Sequence, residues 1–428
     1  MLLVRPRPNG DESQMSYMLR VAEANALTSP AWLVAQIGYA SACTEHFAEA
    51  ASLRGPLCFM RGESRLDSGG LGSRFWNMKR PRYCPLCLFE CNIWKPEWDL
   101  VFCVACERHR VELLESCSHC GKPLSWSRSA LMECPCGASL ATVFPRPART
   151  EDLSLAHHLS GAWKQDLAAG TSGFAGGATA DLLLRIWLLG SYGSAGRSRP
   201  QKLANLHRIE EVKQITLAAA DAMEDWPMGF HRLLARAEAG HAAQAGARIA
   251  TRFGRLYNEI FAPSKARAFS VLRSAFEGYV AERWHGQLAA RNRRLSAGTR
   301  EGHLWVPATR AAKELGWKPA RVRSAIDRGM VRGHSRPRPS GRISAVVHRE
   351  DLQALKSDAA SWMDLKAVCA YLHVGKAKVM SWITSGVLLP IAGPAIDGHS
   401  SWQFRRRDVA SLLEAAAPAN NAAVAEQA

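Results

Sequence analysis

Four short motifs carry the decision about this chain: Cys84-Pro-Leu-Cys87, Cys103-Val-Ala-Cys106-Glu-Arg-His109, Cys117-Ser-His-Cys120 and Cys134-Pro-Cys136. They lie in one window holding nine of the chain's 12 cysteines. Core packing alone does not cluster thiols in this way. A Cys-x2-Cys turn supplies two ligands of a tetrahedral zinc from one tight loop, and two such elements close a site. The window therefore reads as two structural zinc ions in tandem. Cys117, Cys120, Cys134 and Cys136 form one set, with Gly121 and Gly137 following each pair where a tight knuckle favours positive φ. The other set is open between two choices. Cys84 and Cys87 pair either with Cys103 and Cys106 or with Cys106 and His109, and Cys91 is a weaker candidate. Both sites are saturated by protein ligands, whereas a catalytic zinc keeps a position for water. Lys79, Arg80, Arg82, Arg108, Arg110 and Lys122 surround the window. They either balance thiolate charge, about −1 to −2 per site by ligand count, or bind a polyanion.

Composition supports this frame. A chain of 428 residues is too long for one small core. Its net charge of +17 favours a polyanionic partner such as nucleic acid. Residues Met1 to Ser13 contain no apolar leader segment. The most apolar run, Leu182 to Leu189, is too short to span a membrane and contains Arg185. The expectation is a cytoplasmic protein without a membrane partner, where clustered cysteines bind metal rather than form disulfides.

Near the C-terminus the sequence repeats at a constant offset of 57. Trp305, Leu315, Val322, Ile326, Gly329, Arg349, Asp351 and Leu355 match Trp362, Leu372, Val379, Ile383, Gly386, Arg406, Asp408 and Leu412. Each copy reads as helix, turn, helix, a Gly-ended stop and a two-stranded wing. In the first copy Ala311, Ala312 and Leu315 face inward, Gly316 permits the turn, Val322 and Ile326 hold the second helix, and Gly329 caps it. The unit resembles an excisionase-type or MerR-type winged helix-turn-helix, whose second helix can enter a DNA major groove. The exposed candidates for DNA contact are Lys318, Arg321, Arg323 and Arg328 on that helix, with Arg332, Arg336, Arg338 and Arg342 on the wing. The second copy offers only Lys376 and Lys378 on its helix, and its wing, Pro390 to Ser401, is nearly uncharged. The first copy is therefore expected to bind DNA better. The second is read more readily as a docking or dimerisation module, which keeps a homodimer among the expected assemblies.

Residues 14–50 read as mostly helical, with Tyr17, Val21, Ala24, Trp32 and Ile37 on an apolar face and Ser29-Pro30 at a helix start. Gly69, Gly70 and Gly72 break the chain before the cysteine window. Gly170 to Gly177 and Gly190 to Pro200 read as linkers. A helix from Lys265 to about Gln287 carries Phe269, Leu272, Phe276, Tyr279 and Val280 at core spacing.

Arg5-Pro-Arg-Pro8, Asp11-Glu-Ser13, Tyr17-Met-Leu-Arg20, Tyr83-Cys-Pro-Leu-Cys87, Trp94, Trp98, Cys106-Glu-Arg-His109 and Cys117-Ser-His-Cys-Gly121 with Leu124 together resemble the TniQ family. That family includes the TnsD-type target selectors of Tn7-like and Tn5053-like transposons. The resemblance covers residues 1 to about 145. It favours His109 over Cys103 as a ligand, because the family pattern has Cys-x2-His there. It also implies a non-catalytic adaptor that joins a target-recognition element to an AAA+ transposition ATPase, which recruits the transposase. In some relatives the target determinant is an RNA-guided CRISPR effector complex. In others it is DNA read directly or a resolvase-linked site.

The expected fold is mainly α and multidomain, with an N-terminal helical TniQ region over 1–80 and a tandem zinc-finger or zinc-ribbon module over 81–147. A helical region over 148–298 follows, then winged helix-turn-helix units over 299–357 and 358–415 and a disordered tail over 416–428. A sequence-specific transcription regulator is the alternative, which the long zinc module and the lack of a visible ligand-sensing domain disfavour. An enzyme is disfavoured because no carboxylate trio for two-metal chemistry stands out.

Overall fold

The computed structural model describes residues 3–33, 75–77, 79–169, 177–193, 206–239, 248–289, 291–337, 341 and 343–412. Expectations for Ile37, Gly69, Gly70, Gly72, Arg338, Arg342 and the tail over 416–428 lie outside them. Helices dominate the described residues. The chain divides into two compact units, one of residues 1–241 with 253–276 and the other of 242–252 with 277–428.

The first unit opens with helix α1 (Gln14–Ala24), whose Ser13 side chain accepts from the Ser16 N–H as an N-cap. Met15, Tyr17, Met18, Leu19, Val21 and Ala22 are buried. Ala24 is exposed, and Trp32 is 51% exposed. This corrects the expected apolar face: the buried stripe is centred on Met18 and Ala22, turned away from Ala24. α1 is tied to the cysteine window at Trp94, whose backbone accepts from Ser13 N–H and donates to Ser16 Oγ. Around Trp94 stand Tyr83, Trp98 and Trp126, with ring centroids 5.4 to 6.5 Å away.

Beyond the cysteines, helices α2 (Thr150–Ala168), α3 (Ala178–Tyr192), α4 (Ile209–Met223) and α5 (Met228–Ala239) pack in sequence order. Asp166 near the end of α2 accepts from the Ala178 and Thr179 N–H groups and so caps α3. Gly190 lies inside α3 and is buried, so the expected linker does not begin there. A Cβ on Gly190 would lie 2.4 Å from Ile215 Cγ2, so glycine serves a close approach of α3 to α4 rather than a chain break. Lys213 of α4 pairs with Glu112 at 2.9 Å, and the Ile209 N–H donates to Glu115, fixing α4 to the cysteine window. Helix α6 (Ser270–Arg283) then carries the chain across the boundary between units. Phe269 and, along α6, Leu272, Phe276, Tyr279 and Val280 are all buried, at the spacing expected from the sequence.

The second unit contains the two sequence repeats. In the first, β3 (Trp305–Pro307) leads into α7 (Ala308–Leu315) and α8 (Pro319–Asp327). The hairpin β4 (Gly333–Pro337) with β5 (Ile343–His348) and helix α9 (Arg349–Ala360) follow. The three strands form an antiparallel sheet in the order β3-β5-β4, with Trp305 opposite His348 and Gly333 opposite Val347. Gly316 closes α7 in the left-handed conformation at φ 66°, which sets the turn into α8. Ala311, Ala312, Val322 and Ala325 from the two helices share one core with Val306, Val347 and Leu352.

The second repeat runs β6 (Trp362–Asp364), α10 (Leu365–Tyr371), α11 (Lys376–Thr384) and β7 (Gln403–Arg405). Val368, Val379, Leu388, Phe404 and Val409 form its core. β6 pairs with β7, but Pro390 to Ser401 is a loop joined to β7 by the single bridge Ala392–Gln403. The expected two-stranded wing is thus an irregular loop in this copy.

Candidate functional site

The short helix Pro85–Cys91 begins one residue after Cys84 and has a proline in its first turn, so Cys84 and Cys87 are turned toward the same point. The pair β1 (Ala105–Cys106) and β2 (Val111–Glu112) makes a small antiparallel knuckle that presents Cys106 and His109. Cys84, Cys87, Cys106 and His109 converge, as do Cys117, Cys120, Cys134 and Cys136. Zn–S bonds of about 2.3 Å and Zn–N bonds of about 2.0 Å imply tetrahedral edges of about 3.8 Å between sulfurs and about 3.5 Å between sulfur and nitrogen. His109 Nδ1 lies 3.5, 3.2 and 3.7 Å from the sulfurs of Cys84, Cys87 and Cys106, and the Cys87 and Cys106 sulfurs are 3.6 Å apart. In the second set the Cys117–Cys136 and Cys120–Cys134 sulfurs are 3.8 and 3.7 Å apart. Both donor sets therefore have the dimensions of a tetrahedral ion.

The other ring nitrogen of His109, Nε2, lies 3.0 Å from Glu90 Oε1. In the tautomer that leaves Nδ1 bare for a metal, Nε2–H donates to this carboxylate, an arrangement that orients a ligating imidazole. That hydrogen bond and nearby Arg108 hold the Glu90 carboxyl below its usual range. Cys103 stands outside the cluster. It is buried, its thiol donates to the Ala105 carbonyl, and burial pushes its titration well above that of a free thiol.

The cations around the window divide by role. Arg82 is fully buried and donates to the carbonyls of Val101, Cys103 and Leu206, while burial pulls its guanidinium down to about 10. Arg80 pairs with Glu115, and Arg108 with Glu90 at 2.7 Å. Lys79, Arg110 and Lys122 are exposed. Sequence reasoning passed over Arg128, which is buried 4.6 Å above the Trp94 ring and 5.3 Å from Trp126. Trp126, two residues earlier, was its only local signal.

On α8 the structure separates the candidate DNA contacts. Lys318 is exposed, Arg323 is half-buried, and Arg336 on β4 is exposed. Arg332 is exposed but held by Asp351 and Glu350. Arg321 is the correction: it was expected at the surface and is buried. Its Nε lies 2.9 Å from Asp397 Oδ2, its Nη2 donates to Gln403 at 2.6 Å, and its guanidinium lies 4.0 Å above the Trp317 ring. Arg328, although exposed, donates to the Ile391 carbonyl at 2.8 Å. Both partners, Asp397 and Ile391, belong to the loop of the second repeat. Burial lowers the Arg321 guanidinium, with Asp397 opposing. Burial would raise Asp397, but the Gly393 and His399 N–H groups, Arg321 and Arg328 outweigh it and leave the carboxyl below its usual range.

Two clusters that could each hold a metal ion thus stand on the same chain as paired helix-turn-helix repeats. Residues 362–417 match the helix-turn-helix domain family. Residues 3–113 match the TniQ family. The TniQ match encloses the first cluster and ends before Cys117, and the helix-turn-helix match covers the second repeat. No curated protein matches the chain. Among the described residues no helix is long and apolar enough to cross a membrane.

Proposed function

We propose that this chain is a non-catalytic transposition adaptor that selects a target site and couples it to an AAA+ transposition ATPase and a transposase. The TniQ match over 3–113 on the same chain as a helix-turn-helix match over 362–417 carries this reading. Two structural zinc ions, held by Cys84, Cys87, Cys106 and His109 and by Cys117, Cys120, Cys134 and Cys136, organise the N-terminal module. Thiolate-rich sites of four protein ligands select zinc and leave no position for substrate. The C-terminal pair of helix-turn-helix repeats holds target DNA.

The test is reconstituted transposition with a purified AAA+ transposition ATPase and a transposase. Insertions are expected at a preferred site with the protein present and scattered or absent without it, and the purified ATPase should be captured by the protein. Promoter binding without ATPase capture would favour a transcription regulator instead. DNA cleavage or strand transfer by the protein alone would refute the adaptor reading.

A further inference from the structure

The outer face of α8 is the surface by which a helix-turn-helix would meet DNA. Here Arg321 and Arg328, seven residues apart and so on one side of that helix, are both taken by the second repeat's loop. What α8 leaves outward is Lys318 just before its first turn, Ala320, the half-buried Arg323 and Asp327, whose carboxylate offsets one of the two cations. Its counterpart α11 differs. At the offset of 57, Arg321, Ser324 and Arg328 correspond to Lys378, Ser381 and Ser385. All three are exposed, as is Lys376 at the start of the helix. Lys378 lies 5.7 Å from the Trp382 ring, and neither lysine makes an ion pair among the described residues.

We infer that α8 has become the socket for the second repeat's loop, and that α11, through Lys376, Lys378 and Ser381, is the helix that faces duplex DNA. This rests on the reading above that the C-terminal pair binds DNA, and it reverses the ranking expected from charge alone. Charge decides the occupant of α11. The alternative, a first-repeat wing from another copy of the chain, would repeat the internal contact head to tail. The position matching Asp397 in that wing is Ser340, among Arg336, Arg338 and Arg342. Such a wing brings arginines, not a carboxylate, to Lys378. A polyanion with acceptors spaced along a groove suits two lysines and exposed serines, since serine hydroxyls bond phosphates and base edges alike.

The experiment measures binding of the full, zinc-loaded chain to a short random-sequence duplex by fluorescence anisotropy across a salt series. Lys376→Ala with Lys378→Ala is expected to weaken binding by about tenfold or more and to flatten the log–log salt slope by about 1.8, the value for two lost phosphate contacts. Lys318→Ala with Arg323→Ala should cost clearly less. Arg321→Met should lower thermal stability and leave the slope as in the parent. The opposite ranking of the two double variants, or a flattened slope in Arg321→Met, overturns the assignment while DNA binding stands. A parent chain that fails to bind duplex even at low salt overturns the DNA reading itself, and this assignment with it. Metal content and far-ultraviolet dichroism of each variant guard against misfolding.

Discussion

Replacing Asp397 with alanine should open the contact between the two repeats. In the folded chain the Asp397 side chain is fully buried and that of Arg321 is 9% exposed. Removing one member of a buried ion pair costs about 3–5 kcal/mol, because the survivor stays desolvated. Arg321 would keep Gln403 and the Trp317 face, a cation–π contact of about 1–2 kcal/mol, which places the pair itself at the low end. Asp397 also accepts from the Gly393 and His399 N–H groups, and orphaning the buried one adds about 1 kcal/mol. The sum is about 4 kcal/mol, or on the order of a thousandfold in the opening equilibrium. Hydrogen exchange reads it locally at the Ile391 and Gln403 amides, which bond across the loop base. Asp408→Ala, which removes an exposed pair with Arg407, should change nothing there. The double variant Arg321→Leu with Asp397→Leu should recover much of the protection, as apolar replacements of buried pairs often do. Unchanged exchange in Asp397→Ala, or a double variant no better than the single, would refute the argument. The pH dependence follows from the sign: a carboxyl held below its usual range contributes stability above its unfolded value, about 3.9. That stability is lost as pH falls through the lower folded value, so the loop should loosen only in strong acid.

Three further outcomes are expected. His109→Ala should reduce bound zinc from two ions per chain toward one, while Cys103→Ala should keep both, as measured by metal analysis after dialysis. Asp99→Asn should raise the melting temperature at neutral pH, since burial lifts the Asp99 carboxyl well above its usual range, with Ser13 opposing only in part. The gain should grow as pH rises above about 4 and vanish below it, where both states are protonated. Gly190→Ala should destabilise the first unit by about 1–3 kcal/mol through overpacking against Ile215, read by chemical denaturation.

The metal clusters were legible because ligand chemistry is local. Cys84 with Cys87 and Cys117 with Cys120 each come from one turn, and only a few residue types can bind zinc. The choice between His109 and Cys103 was not legible from spacing, because both lie within reach of the same knuckle and only the fold decides which side chain turns inward. The repeat was legible from its invariant offset, and the α7–α8 core from Ala311, Ala312 and Val322. Arg321 was misread for a physical reason. A cation on a helix face looks solvent-exposed until its distant carboxylate is known, and nothing near Arg321 points to Asp397. Asp397 did carry a faint mark, as the sole carboxylate in an otherwise uncharged loop. Gly190 failed similarly: a glycine beside a Gly/Ser-rich stretch reads as a break, and only the neighbouring helix shows that it is a contact.

The seating of one repeat's loop on the other's helix also bears on how such a duplication ages. Two tandem copies begin as interchangeable parts, and either can be deleted without harm to the other. Once Arg321 and Trp317 are shaped to receive Asp397, deleting the second copy strands a cation and an indole, and deleting the first strands a carboxylate. The pair is then inherited as one piece. Truncations ending near Ala360 should accordingly be poorly soluble, although each repeat has a core of its own.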